Sequence, residues 1–213
     1  MTQKPTVKEV YDVLREENAL LVHFSTTGKG REYGQIVEER EGAEREDAIR
    51  AHLHRFYPGD LHYAISNTGQ TLCCSTILPT DNAHANAMGS VGLILAPQAS
   101  SSLRTVANSD DGYLGPGDDR DMDITVALCR ETIKDRPGGH NEWLVKGYHV
   151  LGVLCLRPLE AFNALLGGAV ELQLPAVQEE FSMLPLYVAR HGAWYRMNPD
   201  GSDTKVEHGE IYC

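Results

Sequence analysis

A lone carboxylate precedes an apolar run in the second half of the sequence. Glu142 follows the turn residues Pro137-Gly138-Gly139 and comes directly before the strand-like run 143–145. An acidic residue at such a position either faces solvent at a strand edge or points into a cleft. In a cleft, a carboxylate can stabilise positive charge on a sugar carbon when a bond to a good leaving group breaks. Glu142 is therefore a candidate catalytic residue, with an ordinary exposed glutamate as the alternative.

A histidine and a hydroxyl lie close together in an early apolar segment, residues 19–25. If this segment is a strand, His23 and Ser25 share one face because side chains alternate, and Phe24 faces the core. Imidazole and hydroxyl groups can together present donors and acceptors to a ribose diol. The alternative is a buried histidine that is satisfied by a backbone group.

Ser75 and Thr76 lie toward the end of another strand-like segment, residues 71–78. These hydroxyls could orient a ribose or the Glu142 carboxylate. The alternative is that the pair only reflects the high β-propensity of threonine and its neighbours.

Other residue groups suggest weaker candidate sites. Residues 108–113 are rich in Asp but lack the spacing of an EF-hand loop, which favours a solvated loop in which Tyr113 could still stack on a ligand. Cys73 or Cys74 could form a thiol–imidazole pair with His84 or His140, if the fold brings them together. The five cysteines match no metal-binding pattern, and no metal site is predicted.

Composition limits the class of protein. The chain has 213 residues, of which 42% are hydrophobic and 23% charged, which is enough to bury the core of one domain spanning residues 1–213. The order of the predicted helices and strands given below predicts an α+β class around a mostly antiparallel or mixed sheet. A net charge of −11 argues against nonspecific nucleic-acid binding through a broad basic surface. The sequence has neither a secretory signal nor a membrane-spanning run, so we expect a cytoplasmic protein with reduced thiols.

Hydrophobic periodicity and turn residues predict the individual elements. Helices are predicted over residues 7–17, 38–54, 123–134 and 158–165, with another from residue 172. Strands are predicted over residues 19–25, 61–66, 71–78, 90–96, 103–107, 142–145, 150–156, 184–188 and 193–197, with a hairpin turn at 67–70 and loops at 79–89 and 108–123.

The early segment His23-Phe24-Ser25-Thr26 and the late segment Asn141-Glu142-Trp143 together resemble the two ends of an ADP-ribosyltransferase domain. The resemblance is to the bacterial toxin branch of that superfamily and spans roughly residues 21–156. In such proteins an early strand carries a His or Arg, a middle strand a Tyr or a Ser-Thr pair, and a late strand opens with the catalytic Glu. The combination of His with Ser-Thr departs from the commonest triads.

The resemblance implies an NAD cleft in a split sheet, with Glu142 and His23 as catalytic residues. It assigns NAD contacts to His23, Phe24, Ser25, Thr26, Arg31, Ser75, Thr76 and Tyr113, with Tyr33 as a further stacking candidate. Arg31 would meet the pyrophosphate. The loop before Glu142 would recognise the acceptor through Arg136, His140 and Asn141. NAD is expected as a co-substrate, without a metal.

The resemblance also implies a biological role, that of a toxin or anti-phage effector with a possible cognate antitoxin. His140 stands where arginine-modifying members carry a second acid, which favours a nucleobase (RNA or DNA) or another protein side chain as acceptor. Two alternatives stay open, a cysteine-dependent deamidase or protease effector and a noncatalytic acidic adaptor or immunity protein.

Overall fold

The computed structural model describes residues 4–24, 35–36, 38–45, 48, 58–81, 90–108, 123–136, 140–156 and 169–212, without the side chains of 169–173. Helices in this part of the chain run over Val7–Glu16 (α1), Pro58–Ser66 (α2), Val126–Lys134 (α3), Ala169–Glu180 (α4) and His208–Ile211 (α5). Local sequence explains where two of them begin. Thr6 and Glu9 form a capping box at the start of α1, and the Thr125 hydroxyl accepts the Leu128 N–H at the start of α3.

Among the residues that the structure describes, nine strands form one sheet in the order β4-β5-β2-β1-β3-β6-β7-β8-β9. The β6–β7 pair is parallel and the other pairs are antiparallel. The predicted α+β class with a mixed sheet is therefore confirmed. In chain order the strands are Leu20–Phe24, Thr71–Ile77, Val91–Pro97, Leu103–Ala107, Glu142–Lys146, Tyr148–Cys155, Leu186–Arg190, Ala193–Met197 and Asp203–Val206.

Strand β2 changes partner along its length. Its first half pairs with β5, from Thr71 opposite Lys146 to Cys74 opposite Trp143. Its second half pairs with β1, and the register ends with Ser75 opposite Val22. The ends of β1 and β5 therefore meet β2 near its middle, and this is the region that positions the candidate site.

The sheet buries apolar side chains on both faces. One face, here called the helix face, packs against α1 to α4 and includes Leu21, Cys74 and Trp143. The other, the opposite face, includes Val22, Phe24 and side chains of β7 and β8, and it packs against α5. Because alternate residues of β1 and β2 join different cores, a residue's position in its strand decides which face its side chain reaches.

The segment 61–66 is a helix, so its prediction as a strand was wrong. Leu61, Tyr63 and Ile65 alternate with other residues, which imitates strand periodicity. In α2, Leu61 and Ala64 are buried on one side while Tyr63 is 61% exposed, as a helical period requires. Pro58 begins the helix and suits its first turn. The predicted hairpin turn at 67–70 instead joins α2 to β2.

Most other predicted elements are confirmed within a few residues. The structure adds β9 and α5, which the sequence analysis did not predict. Residues 38–39, 42–45 and 48 of the predicted helix 38–54 are helical. The predicted helix 158–165 lies outside the described residues, as do most of the two long predicted loops. Within the described part of the chain, no helix is both long and apolar enough to cross a bilayer.

Candidate functional site

Neighbouring strands bring the three predicted motif segments together. β1 ends with His23 and Phe24, β2 carries residues 73–76, and β5 begins at Glu142. These strands lie side by side in the order β5-β2-β1. Segments more than 100 residues apart in sequence therefore meet around the middle of β2.

Glu142 is buried, with only 3% of its surface exposed. This excludes the alternative of an exposed strand-edge glutamate. The Cys73 thiol donates a hydrogen bond to Glu142 Oε1 over 2.9 Å. The neighbours Cys74 and Trp143 are paired and join the core of the helix face, so Cys73 and Glu142 lie on the opposite face.

Ser75 and Phe24 share that face with Glu142. Ser75 lies two residues beyond Cys73 on β2 and opposite Val22 of β1, and Phe24 follows Val22 by two residues. Phe24 is 7% exposed and Ser75 is half-buried. A carboxylate, a hydroxyl and an aromatic ring therefore occupy one face at the junction of the three strands.

His23 points to the other side of the sheet. It is paired with Leu93 of β3, and Leu93 belongs to the core of the helix face. The ring Nδ1 lies 2.7 Å from the Cys73 carbonyl oxygen, which can only accept, so Nδ1 carries the proton. Burial lowers the pKa of His23, opposed by this hydrogen bond and by the charge of Asp60. The structure therefore does not bring the His23 ring to Glu142.

Asn141 holds the backbone directly before Glu142. Its side chain is fully buried and bridges β2 and α3. Oδ1 accepts the Thr76 N–H over 2.8 Å, and Nδ2 donates to Thr76 Oγ1 over 2.6 Å and to the Thr132 carbonyl over 2.7 Å. The Ser75 hydroxyl donates to the Asn141 carbonyl over 2.8 Å. Asn141 and Thr76 thus use their polar groups to position the start of β5.

Arg136 takes part in a second set of polar contacts, which involves Asp81 and the backbone of β2. Its guanidinium forms an ion pair with Asp81, with contacts of 2.5 and 3.1 Å, and donates to the Thr76 carbonyl over 3.1 Å. Asp81 also accepts the Leu78 N–H. These contacts give Arg136 a role in joining β2 to the chain after α3. His140, two residues before Glu142, is half-buried.

The thiols differ sharply in their surroundings. Cys73 is exposed, whereas Cys74, Cys129 and Cys155 are buried free thiols. Burial raises the pKa of the Cys74 thiol, and the nearby Glu142 charge raises it further. Cys74 is therefore a poor candidate for a nucleophile. Among the described residues, no group of three or more His, Cys, Asp or Glu is placed to hold a metal ion.

Several predicted contacts lie outside the described residues, namely Ser25, Thr26, Arg31, Tyr33, His84 and Tyr113. The sequence indicated Cys73 only as a possible nucleophile, whereas in the structure its thiol contacts Glu142. Strand alternation could have indicated that Cys73 lies near the site, because Cys73 and Ser75 share a face of the predicted strand 71–78. The partner strand, however, cannot be read from local sequence.

No protein-family model, curated protein or solved structure matches this chain. The function must therefore be inferred from the chemistry of its own residues.

Proposed function

We propose that this protein is an NAD-dependent ADP-ribosyltransferase in which Glu142 is the catalytic carboxylate. The observation that carries the proposal is the burial of Glu142 at the first position of β5, on the face that it shares with Ser75 and Phe24. A carboxylate is seldom buried without a specific partner or task. The motif segments behind the sequence resemblance also lie on three adjacent strands.

The chemistry requires an anion beside a sugar carbon. The bond between nicotinamide and ribose C1′ breaks, and nicotinamide leaves with the electron pair. Positive charge then builds on the ribose, where the Glu142 carboxylate stabilises it. The acceptor attacks C1′ with a lone pair and loses a proton, which Glu142 can take.

The described residues around Glu142 have distinct roles in this proposal. Phe24 offers an apolar ring for nicotinamide, and Ser75 offers a hydroxyl that helps to orient the ribose. Asn141 holds the backbone that carries Glu142. His23 contributes from the helix face by bonding the carbonyl of Cys73, so we assign it a positioning role. Contacts of NAD with Ser25, Thr26, Arg31 and Tyr113 remain part of the proposal through the sequence resemblance alone.

The acceptor in this proposal is a nucleobase or a protein side chain, read by residues such as His140 in the chain before Glu142. The net charge of −11 favours an acceptor that enters locally over one held by a broad basic surface. A role as a toxin or defence effector, with or without a cognate antitoxin, is proposed on the resemblance.

The test is transfer of label from NAD. Purified wild type, Glu142→Gln and the control Glu179→Gln are incubated with total RNA, DNA and cell lysate. Glu179 is exposed on α4, which packs against the helix face, so its substitution removes the same charge on the other side of the sheet from Glu142. We expect Glu142→Gln to transfer about 10²- to 10³-fold more slowly, because one electrostatic contact to the transition state is lost. The control should match wild type.

Binding separates the proposed function from its alternatives. Calorimetry should detect NAD binding to both wild type and Glu142→Gln, since glutamine keeps the shape of the side chain. If wild type neither binds NAD nor transfers label, the proposal is overturned, and an acidic adaptor or a cysteine-dependent enzyme is favoured. Loss of a different activity on thiol alkylation would then support the latter.

A further inference from the structure

One residue of α3 contacts the side chains on both sides of Glu142. The backbone carbonyl of Thr132 accepts from Asn141 Nδ2 over 2.7 Å, and the Thr132 hydroxyl accepts from Trp143 Nε1 over 3.1 Å. All three residues are buried, so solvent cannot replace these bonds. Because the side chains of residues 141 and 143 both reach α3, the alternation of the backbone directs Glu142 to the opposite face of the sheet.

A second hydrogen bond, within α3, prepares the Thr132 hydroxyl for its contact with β5. The hydroxyl donates to the Cys129 carbonyl, three residues earlier, over 3.1 Å. Since its one proton is used there, the oxygen can only accept from Trp143, and an indole N–H can only donate. The two groups therefore complement each other in a site without water. Valine has nearly the shape of threonine but no acceptor, whereas serine keeps the hydroxyl.

We propose that Thr132 is a positioning residue that fixes the direction of the Glu142 carboxylate. The inference rests on the proposed function for its effect on catalysis, whereas the anchoring of β5 to α3 can be measured without it. A displacement of about 1 Å between reacting groups can cost about 100-fold in rate. Loss of the Thr132 hydroxyl releases Trp143, one of the two side chains that hold the backbone around Glu142. The carboxylate then spends less time in the orientation that stabilises charge on ribose C1′.

The first experiment separates positioning from binding by kinetics. Thr132→Val and Thr132→Ser are compared with wild type in label transfer from NAD to the preparation that wild type labels. We expect Thr132→Val to lower kcat about tenfold and to leave KM for NAD within about twofold, because Phe24 and Ser75 lie on strands that do not contact the hydroxyl. Thr132→Ser keeps the acceptor for Trp143, so it should retain kcat within about threefold.

The matched control is Thr125→Val, which removes a hydroxyl from the other end of the same helix. The Thr125 hydroxyl caps α3 by accepting the Leu128 N–H over 3.1 Å. Its loss weakens the helix but leaves the contact between Thr132 and Trp143 in place. We expect kcat of the control to match that of wild type. An equal fall in kcat for Thr125→Val and Thr132→Val would overturn the inference, because any weakening of α3 would then have the same effect.

The second experiment needs no transferase activity. The chain has two tryptophans, so protein labelled with nitrogen-15 gives two indole N–H signals, whose hydrogen exchange is followed by NMR together with that of the backbone amides. In Thr132→Val, exchange at the Trp143 indole and at the amides of residues 142 and 143 should be at least about tenfold faster. The Trp194 indole donates to the Asn18 carbonyl over 3.2 Å and serves as the internal control, since a general loss of stability would speed both indoles.

The outcomes distinguish the inference from the proposed function. Unchanged exchange at Trp143 in Thr132→Val, or a wild-type kcat in that variant, would overturn the inference and leave the transferase standing. Faster local exchange with no transfer by wild type would overturn the proposed function and, with it, the positioning role. If Thr132→Val does not fold, Trp143→Phe removes the same bond from the donor side, and the same changes in kcat and in amide exchange are expected of it.

Discussion

Replacing Asn141 by alanine should destabilise the protein strongly, because this side chain joins β2, α3 and the start of β5. Three hydrogen bonds disappear, and they leave the Thr76 N–H, the Thr76 hydroxyl and the Thr132 carbonyl in a site from which solvent is excluded. Each lost bond costs about 1 kcal/mol, and each buried group left unsatisfied costs more. We expect the free energy of unfolding to fall by about 3 to 5 kcal/mol.

Urea unfolding followed by circular dichroism measures this loss. The matched control is Asn67→Ala, which removes an exposed amide with one hydrogen bond to the Tyr63 carbonyl and should change stability by less than about 0.5 kcal/mol. Asn141→Asp keeps the shape but turns an acceptor toward the Thr132 carbonyl and buries a charge, so it should be at least as damaging at pH 7. A loss below about 1 kcal/mol in Asn141→Ala would refute the reasoning.

Two further predictions concern stability. Burial lowers the pKa of both His23 and His208 in the folded protein. As the pH falls, each ring is therefore protonated in the unfolded chain before it is protonated in the folded protein. The stabilising contribution of each neutral ring should be fully present above the unfolded-state pKa of about 6.5, and below that pH the free energy of unfolding should fall by up to about 1.4 kcal/mol per pH unit for each ring. His208→Gln should reduce this dependence of the free energy on pH, measured by urea unfolding, and an unchanged dependence would contradict the assignment. In Gly152→Ala, the added Cβ would lie 2.6 Å from a backbone oxygen, so thermal unfolding should show a loss of about 1 to 3 kcal/mol, whereas Gly69→Ala, with nothing within 4 Å, should be near neutral. Equal stability of the two glycine variants would show that β6 adjusts without cost.

Local pattern predicted the strands that carry the candidate site. The apolar runs that became β1 and β5 are short, and turn residues or charges bound them. Buried strands of this kind need no long-range information to be recognised. The sequence also predicted Glu142 as a candidate catalytic residue, since a lone acid before an apolar run is a local feature.

Local periodicity gave a wrong prediction for residues 61–66, where the same apolar positions fit both a strand and a helix. Leu61 and Ile65 fit either a strand or a helix, and the helix α2 prevails because Leu61 and Ala64 then bury against the sheet. At His23, alternation correctly separated the ring from Phe24 but could not say which face holds Glu142. Only the pairing of β2 with β5 shows that Glu142 shares its face with Phe24.

By itself, the sequence determined the α+β composition, most of the strand positions and the presence of an acid at the start of one strand. These properties follow from periodicity and turn residues, which act over a few positions. The tertiary structure decided that Glu142 is buried, that Cys73 donates to it and that Asn141 holds the backbone before it. Those contacts join residues up to 69 positions apart. They depend on strand order and register, which arise from the packing of the whole sheet and not from any local pattern.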